Sequence, residues 1–193
     1  VTAAAVLSCT SVGVASEHDH GDDHGEHMAV LDLVPHDAVT HMAMHSGDWS
    51  DPGTWMGGML PGADARVHIP EGVEVEFDLP ASPRLMNIRV DGTLELSSES
   101  STNLFLRTMV ITPTGSFVAG SPDRPVPDGV NAFVFFRSDV PVEIDDPNDP
   151  LQLGLGVISL GRVELYGQMR EAFTTLAEPS VAGDSVLILD GQA

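Results

Sequence analysis

The sequence predicts an all-β fold, a parallel β-solenoid of about six coils behind a disordered N-terminal segment. Three observations carry that expectation. Apolar and polar residues alternate with period 2 in short runs, the mark of strands with one buried face. An apolar–x–apolar unit recurs at near-constant spacing. Its central positions are 74, 95, 118, 143, 164 and 187, in steps of 21, 23, 25, 21 and 23. Turn residues punctuate the units, with Gly72, Gly92, Gly115 and Gly161 at four of the corners.

Each repeat pairs two such units. Val67-His68-Ile69 precedes Val73-Glu74-Val75, and Ile88-Arg89-Val90 precedes Leu94-Glu95-Leu96. Met109-Val110-Ile111 precedes Phe117-Val118-Ala119, and Val134-Phe135-Phe136 precedes Val142-Glu143-Ile144. Ile158-Ser159-Leu160 precedes Val163-Glu164-Leu165, and Val186-Leu187-Ile188 closes the series. A coil of this length cannot bury its apolar face alone, so coils must stack like strand over like strand. Glycine at the corners would supply backbone angles that a residue with Cβ resists. An antiparallel sandwich is the structural alternative, because its turns also recur at short intervals. The apolar run Val130–Phe136 (VNAFVFF) reads as core rather than as a ligand box.

Composition narrows the function classes. The chain has 193 residues, with 29 acidic against 8 basic ones and a formal charge of −21. Every basic residue is Arg. Nucleic-acid binding and adhesion to anionic headgroups both need a positive surface, so both are disfavoured. The single cysteine excludes an internal disulfide framework and any multi-Cys metal centre. No apolar run approaches the length of a membrane-spanning helix. The signatures GxSxG and HExxH and a phosphate-cradling Gly loop are all missing.

The N-terminal residues fall into three blocks. Residues 1–16 (VTAAAVLSCTSVGVAS) read as a partial signal or lipoprotein segment. Either Cys9 is a lipidation site in a lipobox-like VLSC, or cleavage follows near Ala15 or Ser16. Both routes export the protein, to the extracellular space or cell envelope. Residues 17–45 are a His/Asp-rich linker and lead-in. Within it EHDHGDDHGEH holds no apolar residue and should be disordered. His18, His20, His24 and His27 are candidate ligands for Zn or Cu, against the simpler reading of a polar spacer. His41-Met-Ala-Met-His45 could likewise hold copper, or form a short strand leading into the domain. Residues 46–193 form the β domain, whose ending in VLILDGQA suggests truncation of a longer chain carrying further domains.

Stacked coils would set Glu74, Glu95, Val118, Glu143, Glu164 and Leu187 in one outward column, carboxylate over carboxylate at about 4.8 Å. Like charges so placed repel. Relief could come from Arg89 or Arg162, from salt, or from a bound divalent cation. Glu74 and Glu95 are thus candidate ligand-binding residues, against a plain solvated acidic face. As a carboxylate pair on neighbouring coils they could also be the acid and base of a glycan-cleaving site. Asp145, Asp146, Asn148 and Asp149 could take Ca, although the loop lacks the Gly and Glu of an EF-hand. Trp49, Trp55 and Tyr166 are the amphipathic aromatics able to stack on sugar; for the tryptophans packing at the entrance of the coil is the alternative.

One stretch is more specific. SGDWSDPGTWMGGMLPGADARVHIPEGVEVEFD (Ser46 to Asp78) resembles the start of the eight-glycine, or G8, domain. The likeness continues through RVDGTLEL, LFLRTMVI, TGSFVAGSPDRPV and GLGVISLGRVELYG, and HMAVLDLVPHDAVTH looks like the lead-in of bacterial members. The family includes fibrocystin and the cell-surface hyaluronidase. The resemblance implies a right-handed parallel β-helix, extracellular placement, and polysaccharide such as hyaluronan as ligand class. Leu160 and Tyr166 stand where the family pattern would carry His, so any role of those His is lost here. The resulting expectation is a surface binding or structural module, non-catalytic on its own. The alternatives are the N-terminal part of a hyaluronidase-like enzyme, or a metal-binding envelope protein. A polyanion would be repelled by the −21 charge unless cations screen it.

Overall fold

A computed structural model of the protein describes residues 29–137, 155–168, 175–183, 186 and 189–190. Cys9, the four histidines of the EHDHGDDHGEH block, Glu143 and the Asp145–Asp149 loop lie outside the described residues. In chain order the strands are β1 (His41–Met42), β2 (Gly47–Asp48), β3 (Arg66–Ile69), β4 (Glu74–Phe77), β5 (Leu85–Val90), β6 (Thr93–Leu96) and β7 (Thr102–Ile111). They continue with β8 (Ser116–Ala119), β9 (Ala132–Phe136), β10 (Gly156–Ser159), β11 (Arg162–Leu165), β12 (Thr175–Leu176) and β13 (Leu189–Asp190).

The chain alternates between two sheets. The first runs β1-β3-β5-β7-β10, with β9 also on β7; the second runs β2-β4-β6-β8-β11, and all pairs within them are parallel. Period-2 alternation then does what it must in a half-buried strand. Val67, Ile69, Ile88, Val90, Met109 and Ile111 turn inward from the first sheet. Val75, Phe77, Leu94, Leu96, Phe117 and Ala119 turn inward from the second, and all twelve join one buried cluster. Each fully buried aliphatic side chain contributes about 1.5–3 kcal/mol relative to exposure.

This architecture corrects the closed, six-coil parallel β-helix expected from the spacing. Among the described residues the sheets are open and two-sided. The links from β4 to β5 (residues 78–84) and from β6 to β7 (97–101) are loops and turns, so no third wall of strands closes a tube. β7 is ten residues long, about twice its neighbours, and its edge is divided. Thr102–Leu106 pairs with β9, whereas Thr108–Ile111 pairs with β10. Val134-Phe135-Phe136 therefore stands beside Leu104-Phe105-Leu106 instead of continuing the Met109-Val110-Ile111 stack. Leu187 and Ile188 of the last unit lie outside the described residues, and Leu189–Asp190 just after it (β13) pairs antiparallel with β12. Even spacing in sequence could not distinguish a strand added to the next rung from one added to the same edge.

The corners explain the glycines differently from the expected backbone angles. A Cβ on Gly92 would stand 2.2 Å from the Pro70 carbonyl oxygen and 2.3 Å from that of Val73. On Gly115 it would stand 2.0 Å from the Val90 oxygen, and on Gly161 2.2 Å from that of Thr112. Corner rests on corner, and the backbone ladder passes across: Gly92 donates to Ile69 O at 3.0 Å, Ser116 to Gly92 O at 2.8 Å and Arg162 to Gly115 O at 3.0 Å. Space, not φ, demands glycine at these three sites. Gly72 is the exception, with φ 78° and open space around it.

A tryptophan plug seals the N-terminal end of the core. Trp49 meets Trp55 and Phe77 edge-on at centroid distances of 4.8 and 5.3 Å. Trp55 Nε1 donates to Trp49 O at 2.8 Å. Asp51 caps the 3-10 turn Pro52–Thr54 by accepting from Gly53 N at 2.8 Å. Ser50 donates its N–H and its hydroxyl to Asp78 at the end of β4. Within the W-S-D-P-x-T-W stretch, Asp51 and Thr54, whose hydroxyl donates to Asp48 O, brace the turn, and Ser50 fastens it to the first rung.

Candidate functional site

Two polar surfaces stand on the outer faces of the sheets. On the second sheet the register aligns Asp48, Glu76, Glu95, Val118 and Glu164 in one outward row. Glu74 sits one pleat away, opposite Thr93. The expected partner of Glu95 is therefore Glu76 rather than Glu74. The strand is Glu74–Phe77, with Val75 and Phe77 inward, so both glutamates face out from one rung and differ only in their register against β6. Ser46, Gly47, Asp48, Glu74, Val75, Glu76 and Glu95 line an open depression of about 200 Å³.

Adjacent rungs lie about 4.8 Å apart, so these carboxylates repel one another. Partial desolvation, then Glu76 and Glu74, push the Glu95 carboxyl above its ordinary range, while Arg124 opposes the shift. Solvent still reaches Glu95, and Arg124 is itself 3.6 Å from Glu99. Arg162 pairs with Glu164 on its own strand. The row can accept hydrogen bonds from hydroxyl or amine donors, or draw in a cation.

Trp49 and Trp55 are buried in the plug, with their faces against protein. Tyr166 is half-buried and, with Leu96, Phe117, Val126, Val134 and Leu165, lines an apolar cavity of about 250 Å³ between the sheets. The stretch 130–136, expected as core, is divided by its alternation. Val134 and Phe136 pack on the core, whereas Phe133 and Phe135 are exposed, and Phe135 stacks on Phe105 at 4.8 Å. Sequence reasoning missed Glu76, Phe133 and Phe135. The alternation in EVEF and AFVFF carried the signal, but the rung assignment hid it.

The first sheet carries a second polar cluster. Val30 and Val34 of the lead-in pack on Val110, and Asn87 Nδ2 donates to Leu33 O at 3.2 Å. This docking places His36, in the 3-10 turn His36–Ala38, edge-on against His68 at 4.8 Å. His68 Nε2 lies 2.7 Å from Asp91 Oδ2. Arg89 Nε donates to both Asp91 oxygens at 3.1 and 3.0 Å. Burial pushes the Asp91 carboxyl up, but hydrogen bonds from Arg89, Thr112 and His68 outweigh it and hold it below its usual range. Desolvation lowers His68, outweighing the pull of Asp91. His36, His68 and Asp91 are a group able to hold a metal ion. His41 instead lies in β1, with Nδ1 2.9 Å from Thr40 Oγ1, and leads into the domain as a short strand.

Among the described residues no helix is long and apolar enough to cross a membrane. The G8 domain family model matches residues 54–177. No curated protein and no solved structure matches the chain.

Proposed function

Because the chain belongs to the G8 domain family, whose domain is a module of the extracellular type, we propose that it is a non-catalytic surface-binding module with polysaccharide as its ligand class. The carboxylate row Asp48–Glu76–Glu95 carries this reading. It is a solvent-facing ladder of acceptors in an open depression, with rungs about 4.8 Å apart, of the order of one sugar ring. Sugar hydroxyls are donors, and each hydrogen bond to a carboxylate is worth more than one between neutral groups. Such donors would also offset the desolvation and the repulsion from Glu76 and Glu74 that together raise Glu95. With 29 acidic residues against 8 basic ones, the ligand is a neutral or amino-bearing glycan rather than a polyanion.

The test is retention of the full chain on insoluble neutral polysaccharide and on deacetylated amino-polysaccharide, beside a sulfated or uronic-acid polymer. Retention is expected on the first two, with a several-fold loss in the Glu76→Gln/Glu95→Gln double variant. Equal retention of parent and variant would remove the carboxylate row from the reading. Failure to hold any polysaccharide would overturn the ligand class, and release of glycan fragments would overturn the non-catalytic role.

A further inference from the structure

The geometry points to a binding site for one divalent transition-metal ion, Zn²⁺ by preference, formed by His36 Nε2, His68 Nε2 and Asp91 Oδ2. The three residues come from the lead-in turn, the outward face of β3 and the corner after β5. The fold, not the sequence, brings them together. Their donor atoms all lie within 4.8 Å of one another, with His68–Asp91 at 2.7 Å and His36–Asp91 at 4.0 Å. Tetrahedral zinc with ligand bonds of 2.0–2.1 Å needs its donors about 3.3 Å apart. The observed distances straddle that value. Forming the site requires His68 and Asp91 to part by a few tenths of an ångström and His36, whose side chain is 57% exposed, to rotate toward them.

Other features fit a site and not a chance meeting of side chains. His68 is 5% exposed and presents Nε2, not Nδ1, to Asp91. Asp91 is held in place by Arg89 on both oxygens. Arg89 thus fixes the orientation of Asp91 from behind, as ligating carboxylates are commonly held by hydrogen bonds of their own. Arg89 also sets a limit, because its charge repels a cation and it occupies lone pairs of Asp91. Affinity should therefore fall below that of a closed four-ligand structural site. On binding, the metal takes His68 Nε2 and the ring proton moves to Nδ1, which is buried with no hydrogen-bond partner among the described residues, a cost that lowers affinity further. The exposed side of His36 leaves the fourth position to water. Two imidazoles with one carboxylate select Zn²⁺, Cu²⁺ or Ni²⁺ over Ca²⁺ and Mg²⁺. A bound ion would pin the lead-in to the outer face of the first sheet, away from the carboxylate row.

The experiment uses the full chain with His18, His20, His24 and His27 replaced by Ser, so that the EHDHGDDHGEH block cannot contribute. Calorimetry with Zn²⁺ is expected to show one ion per chain. Thermal melting at roughly 100 times Kd should rise by about 5–10 °C, and Co²⁺ should give the intense visible spectrum of tetrahedral coordination. His36→Ala and His36→Gln should remove all three signals while leaving the metal-free melting temperature close to that of the parent, because His36 is exposed. Unchanged zinc binding in both variants would overturn the site, as would absence of binding in the Ser-substituted chain. Neither result bears on polysaccharide retention, which reads the opposite face.

Discussion

Single residues decide how closely the rungs can stack. Gly115 carries the backbone of the Val90 corner, with 2.0 Å between a would-be Cβ and a carbonyl oxygen that cannot rotate away. Gly115→Ala is expected to cost about 1–3 kcal/mol or more, since backbone must shift to admit the methyl group. Gly72→Ala meets open space and carries only the strain of φ 78°, about 1–2 kcal/mol. Urea unfolding should place Gly115→Ala as the more damaging change; the reverse order would show that φ governs the corners. Glu95 supplies the pH dependence at this scale. A carboxyl that binds its proton more tightly in the folded state supports folding when protonated. That contribution is complete below the ordinary Glu range and is lost as pH rises through the raised native value. Glu95→Gln should therefore be more stable than the parent at neutral pH, with the advantage vanishing near about pH 4. Denaturant melts at the two pH values check it, and a variant less stable at neutral pH would contradict the raised carboxyl.

At the scale of elements, burial falls steeply along the second sheet. Leu94 of β6 is fully buried, whereas Leu165 of β11, on the same inward parity, is 63% exposed. Leu94→Ala should cost about 2–5 kcal/mol, and Leu165→Ala under about 1 kcal/mol. Similar losses would mean that β11 is covered in solution. The same gradient places the cavity of Leu96, Phe117 and Tyr166 at this end. The divided edge of β7 has a plain cause. A ten-residue strand offers two consecutive sets of backbone donors and acceptors, and β9 and β10 each use one. The tryptophan plug at the other end is local in character, since its turn is capped by Asp51 within the motif. Its anchorage to Asp78 is not local, and no spacing rule would have paired Ser50 with that residue.

For the whole molecule, alternation along each strand determined that the protein is all-β and which residues turn inward, because period 2 leaves a strand with one apolar face. Strand positions such as Val67–Ile69, Leu94–Leu96 and Val163–Leu165 were legible for that reason. The W-S-D-P-x-T-W stretch likewise pointed to the family from motif alone. Register was not legible: Glu76 displaced Glu74 beside Glu95 because the strand begins at Glu74, which sets Thr93 and not Glu95 opposite it. Two open parallel sheets in place of a closed helix, the exposed Phe133 and Phe135, and the meeting of His36 with His68 and Asp91 were decided by the tertiary structure alone. Sequence patterns report which side of a strand is apolar. They do not report which edge a strand chooses or which distant loop folds over it, since those choices depend on backbone hydrogen bonds and packing between residues far apart in the chain.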